Sequence, residues 1–596
     1  VTDYAAPLAD MRFQLSEIAG LAEIATLPAC EQATPDLVDA VLEEAARLAS
    51  GVLAPLNRIG DEEGSTLENG VVRTPAGFKE AYRHYVEGGW NALPFAPEHG
   101  GQGLPLALAT AVLEMWNAAN MGFALCPLLN VGAVEALTAH GSPEQQRLYL
   151  PKLITGAWTG TMNLTEPQAG SDVGALRSRA VAEGDHYRIT GQKIFITYGE
   201  HDMAENIVHL VLARLPDAPP GTKGISLFLV PKFLVNGDGS LGQRNDVRCV
   251  SLEHKLGIHA SPTAVLAYGD NGGAVGYLIG EENRGMECMF TMMNSARLNV
   301  GVQGVALAER AYQQARDFAR LRVQGRPVTA RSAGTYPIVH HPDVRRMLLL
   351  MRAETEAMRA LAYYTAGGID RARHSSDADT RAAQQRRVDL LIPVVKAWCT
   401  DLGVEIASLG VQVHGGMGFI EETGAAQHLR DARITPIYEG TNGIQANDLV
   451  GRKLLRDRGA AARALIREIE EGASALGAGP GDDLAAIRAA LAAGIDALDQ
   501  ATRWMIDTGE HDTPRALAGA VPYLKLAGAT IGGWLMGKAA LAAQHRLARR
   551  EGDAGFNEAK LLSARCFAEH VLATAPALLP GVMGGNTVMS FDIDWF

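Results

Sequence analysis

Hydrophobic patterning changes character twice along this chain, and the order of those changes is what most limits its fold. From Asp36 to about Trp158 apolar residues recur at helical spacing, and Ser142-Pro143-Glu144-Gln145 supplies a capping hydroxyl, a first-turn proline and a capping-box glutamine. The glycine-rich stretch from Pro94 to Pro105 interrupts this as a loop. Short β-branched or aromatic runs then take over: Tyr187–Thr190, Ile194–Thr197, Ile207–Ala213, Ile225–Val230, Ala264–Tyr268 and Tyr277–Ile279, set apart by turn residues. Helical stripes return with Val305, Ala308, Tyr312, Ala315 and Ala319, and with Val344, Met347, Met351, Met358 and Leu361. Helices, then a β module, then helices exclude the alternating pattern of a doubly wound sheet. No GxGxxG occurs, in agreement. The expected fold is mostly α with a central β domain, in four segments: residues 1–158, helical with an extended leader; 159–280, β; 281–455, helical; and 456–596, a helical carboxyl-terminal extension. The Gly477-Ala478-Gly479-Pro480-Gly481 break lies inside the last of these.

Composition removes several function classes. A formal charge of -13 argues against nucleic acid as a partner, because phosphate binding is driven by clustered Lys and Arg. From Arg456 onward 14 Lys and Arg face 17 Asp and Glu, so a scaffold or nucleic-acid role for the extension is disfavoured. The six cysteines form no CxxC pair, which suggests neither a zinc site nor a disulfide framework and fits reduced cytoplasmic thiols. Val1-Thr2-Asp3-Tyr4 carries no basic stretch followed by an apolar run, so no secretory signal is expected. No window is expected to span a membrane; the nearest, Leu526 to Gly537, reads as a buried helix. His340-His341 and the pair His254 and His259 read as solvated or hydrogen-bonded side chains, and Met286, Met289, Met292 and Met293 as core filling.

Three stretches carry chemistry. In Met162-Asn163-Leu164-Thr165-Glu166-Pro167-Gln168-Ala169-Gly170-Ser171-Asp172 a sharp turn presents the hydroxyls of Thr165 and Ser171 with backbone N–H groups, which suits ring carbonyls and phosphates and equally suits a capped turn between domains. The glycines of Gln412-Val413-His414-Gly415-Gly416-Met417-Gly418-Phe419 allow a ligand close to the backbone, or simply stop a helix. In Ile437-Tyr438-Glu439-Gly440-Thr441-Asn442-Gly443-Ile444-Gln445 one carboxylate sits at a helix start. It is either a general base or a carboxylate favoured by the helix dipole.

Together with Pro97-Glu98-His99-Gly100-Gly101-Gln102-Gly103, the order and spacing of these stretches resemble the acyl-CoA dehydrogenase family from about Pro94 to Leu455, and the long acidic tail and His254-Lys255-Leu256-Gly257-Ile258-His259-Ala260-Ser261 resemble its extended subgroup. The resemblance implies a helical domain, a β-barrel-like domain and a four-helix bundle with FAD held between the last two. It implies oxidation of an acyl-CoA thioester to the trans-2-enoyl-CoA, with Glu439 as the base that takes the α-proton while the β-hydrogen passes as hydride to flavin N5. The thioester oxygen would be held by the Glu439 N–H and a flavin ribityl hydroxyl. Relatives that place the base on the first bundle helix would do so at Ala296, which cannot take a proton.

The same resemblance assigns cofactor contacts to Met162, Leu164, Thr165 and Ser171, to Phe195 and Thr197 beside the ring, to Arg322, Gln412 and Gly416 reaching a neighbouring subunit's FAD, and to Thr441. Substrate contacts fall on Ser171, Asn294, Arg297 and Gly440. The sequence departs from the family at Phe195, usually tryptophan, at Val323-Gln324, usually Phe-Gly, at Asn294, usually aspartate, and at Gly443, often glutamine. Implied partners are an electron-transferring flavoprotein and a second copy of the chain, as a dimer or dimer of dimers. An oxidase passing electrons to oxygen is the alternative, mildly disfavoured because Asp594-Trp595-Phe596 is no peroxisomal address. The subgroup favours a short or sulfur-bearing acyl chain.

Overall fold

The computed structural model describes residues 4–329, 334–477 and 482–595. Val1 to Asp3, Phe596 and residues 478–481 of the glycine break lie outside them. The principal helices are α1 (Leu106–His140), α2 (Gly285–Leu321), α3 (Pro342–His374), α4 (Ala378–His414), α5 (Asn442–Asn447), α6 (Ala460–Leu476), α7 (Asp482–His511), α8 (Ala520–Arg549) and α9 (Ala554–His570). The strands of the main sheet are β1 (Trp158–Asn163), β2 (Arg179–Glu183), β3 (His186–Thr197), β4 (Asn206–Arg214), β5 (Ile225–Pro231), β6 (Val247–Leu252), β7 (Thr263–Tyr268) and β8 (Ala274–Ile279). The chain forms two compact units, one of Glu44–Leu104 with Met115–Asn299, the other of the segments to Glu43, Pro105–Glu114 and Val300 onward.

The first unit is built on the eight-stranded sheet, in the order β6-β7-β3-β8-β5-β4-β1, with β2 pairing β3 and β4. Strand β1 runs parallel to β4, Trp158 opposite Asn206 through Asn163 opposite Val211, and the remaining ladders are antiparallel apart from one β2–β4 bridge. Strand β5 is buried along its whole length, so it reads as an unbroken apolar run rather than an alternation. Successive side chains still face opposite ways. Val208, Leu210 and Leu212 join Leu128, Leu137, Leu153, Trp158 and Met292 on one face, while Val211, Ala213, Phe228 and Val230 join Ile189, Leu266 and Tyr268 on the other. Met289 and Met292 are core residues with Met286 and Met293 packed against them, as the sequence suggested. The two runs expected at Tyr187–Thr190 and Ile194–Thr197 are one long strand, β3, continuous through Gly191-Gln192-Lys193. The capping box at Ser142 forms in both directions, with Gln145 N donating to Ser142 Oγ and Ser142 N to Gln145 Oε1.

The second unit is helical. Antiparallel α3 and α4 pack along their length, and α2 crosses α4 closely: a Cβ on Gly304 would lie 2.2 Å from the Cys399 carbonyl oxygen. The extension docks by the same device. Trp398 of α4 lies against Gly528 and Gly532 of α8, where a Cβ would come within 2.4 and 2.7 Å of the indole. A buried charge network ties the unit's segments together. Arg359 of α3 donates to Asp10 at 2.5 Å, Glu114 at 2.6 Å and Glu309 at 2.8 Å, and Lys560 of α9 pairs with Asp10 and, at 3.1 Å, with Glu356.

Two segments pass a membrane-span criterion of length and composition that the sequence reading had not granted them, Leu106–His140 and Ala554–Ser590. The first has 83% of its apolar window buried inside the protein, as a core helix does. The second is broken by Pro576 and Pro580 into short helices. Leu526 to Gly537 is buried within α8, as expected.

Candidate active site

Within the sheet unit, the stretch after β1 is laced to β3. Glu166 and Ala169 exchange backbone hydrogen bonds of 3.0 and 2.9 Å around Pro167-Gln168. The buried Glu166 carboxylate accepts from Arg177 N at 2.6 Å, Ser178 N at 3.0 Å, Ser178 Oγ at 2.6 Å, Gln168 Nε2 at 2.7 Å and Lys193 Nζ at 2.8 Å. Lys193, fully buried on β3, also donates to the Leu164 carbonyl at 2.9 Å, and Ile194 N donates to the Thr165 carbonyl at 2.9 Å. Burial pushes the Lys193 ammonium down to about 8 despite its carboxylate partner. Burial also works to raise Glu166, but Lys193 and the donors of Ser178 and Arg177 outweigh it and hold the carboxyl at about 2.

The structure therefore brings Met162, Leu164 and Thr165 beside Phe195 and Thr197, because one buried ion pair fastens the loop to the strand that carries both. Phe195 is 58% exposed and adopts φ +60°, a left-handed conformation rare for an aromatic residue. Ser171 is exposed at the loop's far side. Glu166 and Lys193 were not among the residues the sequence singled out. Glu166 lay in plain view inside the motif, whereas Lys193 is a lone lysine between two apolar runs, and no spacing marks it as buried. On α2, Asn294 is exposed while Arg297, one turn on, is buried. Ala296 is buried beside them and offers no carboxylate.

Within the helical unit, Arg322 lies exposed just past α2, its N–H bonded to the Phe318 carbonyl and its carbonyl accepting from Ile338 N, both at 2.8 Å. Phe318 stacks on His414 with ring centroids 4.4 Å apart, which joins the end of α2 to the end of α4. Arg322 and the Gln412–Gly416 turn are thereby held in one region. Gln412 and Gly416 are exposed, Gly415 has φ +59°, and no heavy atom lies within 4 Å of where a Cβ on either glycine would sit. Leu321 and Phe419 stand out here at 78% and 86% exposed.

The Glu439 loop carries an unfavourable backbone conformation at its carboxylate residue. Glu439 and Gly440 are consecutive left-handed residues, φ +56° and +82°. For glutamate this conformation is unfavourable and persists only where the surroundings impose it. Those surroundings are visible. Tyr438 Oη donates to the Gln303 carbonyl oxygen Oε1, Gln445 Nε2 donates to the Glu439 carbonyl at 3.0 Å, and Asn442 N donates to the Pro436 carbonyl at 3.0 Å. Thr441 Oγ1 accepts from Ile444 N at 3.3 Å and caps α5. The Asn442 side chain is bonded throughout to α4: its two amide hydrogens are shared among Ala397 O, Thr400 Oγ1 and Asp401 Oδ1, and its oxygen accepts from Lys396 Nζ. Burial, with Glu439 adding to it, drives the Tyr438 phenol well above its ordinary value, so it stays neutral.

The sheet unit carries the Thr165 and Ser171 hydroxyls and the exposed Phe195 face, and the helical unit an open turn at Gly415-Gly416; both are groups of the kind a flavin dinucleotide can meet. Among the described residues no group of His, Cys, Asp and Glu could hold a metal ion. His259 does have a carboxylate neighbour that the sequence reading missed, Asp61 at 3.1 Å, 198 residues away, and its other nitrogen meets the Lys255 carbonyl.

Family models match almost the whole chain: acyl-CoA dehydrogenase, N-terminal domain, at residues 38–157; middle domain at 161–270; C-terminal domain at 283–454; and acetyl-CoA dehydrogenase C-terminal like at 464–592. The chain belongs to the acyl-CoA dehydrogenase family. It is 52% identical to 3-methylmercaptopropionyl-CoA dehydrogenase of Ruegeria pomeroyi over 96% of this chain and 97% of that one. It is 36% identical to a butyryl-CoA dehydrogenase of Syntrophomonas wolfei over 92% and 90%. The fold matches a Bacillus anthracis acyl-CoA dehydrogenase solved with FAD, with a TM-score of 0.74 and 21% identity over 96% of this chain and 91% of that one. The chain is thus an acyl-CoA dehydrogenase-type oxidoreductase, and its cofactor is FAD.

Proposed function

We propose that the protein oxidises a short acyl-CoA, 3-methylmercaptopropionyl-CoA first among candidates, to the trans-2-enoyl-CoA, with Glu439 taking the α-proton. The observation that carries this reading is the left-handed Glu439-Gly440 pair, a strained carboxylate position held by Tyr438, Gln445 and Asn442 rather than by local preference. A carboxylate whose backbone is fixed by its surroundings is pre-positioned, which suits a general base. FAD, when bound, accepts the β-hydrogen with its bonding pair.

The Glu439 backbone N–H is the protein's donor to the thioester oxygen, which makes the α-carbon acidic enough for a carboxylate. When FAD is bound, Met162, Leu164, Thr165 and Ser171 with Phe195 and Thr197 would contact it from the sheet unit, Thr441 would add a further cofactor contact, and Arg322, Gln412 and Gly416 would reach the FAD of a neighbouring subunit. Asn294, Arg297 and Gly440 contact the substrate. The sulfur-bearing substrate is supported by identity with the Ruegeria relative along nearly the full length of both chains. A straight four-carbon chain is the second reading, supported by the butyryl-CoA relative. Electrons leave to an electron-transferring flavoprotein.

Anaerobic bleaching of the flavin by a panel of acyl-CoAs tests all of this. The Glu439→Gln variant should keep its FAD and bleach at least about 10³-fold more slowly, within the range ascribed to general bases. A variant that bleaches at the parent's rate removes Glu439 from the mechanism, and oxygen uptake during turnover would reassign the electron acceptor.

A further inference from the structure

The carboxyl-terminal extension reaches the base-bearing loop through a short series of contacts. Asp401 sits on α4 with its two oxygens directed to different elements. Oδ1 accepts from Asn442 Nδ2 at 2.7 Å, and Oδ2 lies 4.0 Å from Lys525 Nζ on α8 of the extension. One turn away, Trp398 of α4 fills the groove left by Gly528 and Gly532 of that same helix, and α5 itself packs on α8. The indole is buried against α8, so α4 and α8 are in direct contact along this seam.

Asn442 in turn stands three residues after Glu439 and spends every polar group of its side chain on α4. Its amide nitrogen donates to the Ala397 carbonyl at 3.1 Å and Thr400 Oγ1 at 3.0 Å besides Asp401, and its oxygen accepts from the fully buried Lys396 at 2.8 Å. A left-handed glutamate returns to ordinary backbone geometry once its flanks are released, so the flank with the most bonds governs where the carboxylate stands.

We infer that the extension is the mount of the catalytic loop: α8, acting through Asp401 and Trp398 of α4, holds Asn442, and Asn442 is a positioning residue that keeps Glu439 in register with the α-carbon. The inference rests on Glu439 being the base. The extension is then a working part of proton abstraction, and its loosening lowers turnover without emptying the cofactor site.

The test reads the base alone: exchange of the substrate α-proton for deuterium from heavy water in the holoenzyme, alongside kcat, KM, FAD content and thermal midpoint. Asn442→Asp sets a carboxylate against Asp401 and should slow exchange and kcat about 10²-fold, the scale of a displacement near 1 Å, with KM and FAD content near the parent's. Adding Asp401→Asn exchanges donor and acceptor across the same contact and should restore part of the loss, the Lys525 link staying weakened. Lys525→Met, on the extension itself, should cost about two- to tenfold in exchange. Parental exchange in Asn442→Asp, loss of FAD in step with activity, or no recovery in the double variant would each overturn the mount. Glu439→Gln run in parallel separates the cases. If it abolishes exchange while Asn442→Asp does not, only the mount fails; if it exchanges normally, the base assignment fails and the mount with it.

Discussion

Replacing Glu166 by glutamine takes one charge from an ion pair that is almost wholly out of water, with Lys193 Nζ 2.8 Å away and both side chains buried. Holding that carboxyl near 2 instead of its ordinary 4.5 is worth about 3 kcal/mol at neutral pH. Burial opposes both charges and their mutual attraction offsets it, so the pair as a whole adds little, which is usual for buried pairs, but removing one member leaves the other charge without compensation at about 3 to 5 kcal/mol. Glutamine worsens this, because its amide nitrogen would face groups that can only donate, Arg177 N or Lys193.

The readout is local hydrogen exchange at the Arg177 and Ser178 amides, both bonded to Glu166 in the parent. Their protection should fall about 10²-fold or more, the factor corresponding to about 3 kcal/mol. Glu166→Gln with Lys193→Met should recover part of it. In the parent, a carboxyl held low stabilises above its unfolded value, so this contribution is full above about 4.5 and is lost as pH falls toward 2. Protection at Arg177 and Ser178 that is unchanged in the single variant would refute the reasoning that the pair fastens the loop.

Three other outcomes follow from the packing and charge. His201 and His209 are buried on the sheet against Thr159 and Thr161 and pushed down by burial to about 3, so the unfolded chain binds more protons below about 6.5 and stability should fall as pH drops from 6.5 toward 4, by at most about 3 kcal/mol per pH unit for both; a flat urea midpoint over that window contradicts it. Gly528→Val drives a side chain into Trp398, with the Cβ 2.4 Å from its Cγ, and should cost about 3 kcal/mol, seen as a lowered thermal midpoint; parental melting would show that α8 and α4 are not seated as described. Lys560→Met leaves Asp10 with Arg359 and Glu356 with Arg352 as their remaining partners and should cost about 3 kcal/mol, the lower end for a broken buried pair, with Asp10→Asn in the same chain recovering part; an unchanged urea midpoint for Lys560→Met would show that the extension's charge is not needed to balance the bundle.

Much of this protein was legible in its residues one stretch at a time. The switch from helical to strand-like patterning near Trp158 and back near Gly285, the Ser142 capping box, the methionines in the core and the three chemistry-bearing loops are local properties, set by periodicities of 3.6 and 2 and by turn residues. Glu439 was marked as a carboxylate at a helix start, and α5 does begin three residues later. The left-handed conformation of Glu439 was not legible, because nothing in a glutamate prefers it; it exists only because Tyr438 meets Gln303, Gln445 reaches back, and Asn442 is bolted to a helix some forty residues upstream. Lys193 looked like any strand lysine until Glu166 closed over it, and His259 like a solvated ring until Asp61 arrived from 198 residues away. Local sequence settles which elements form, since backbone preference and hydrophobic period act over a few residues. Buried charges and strained backbone are decided by tertiary contacts, since each pays for its desolvation or its geometry only with partners that the chain brings from afar.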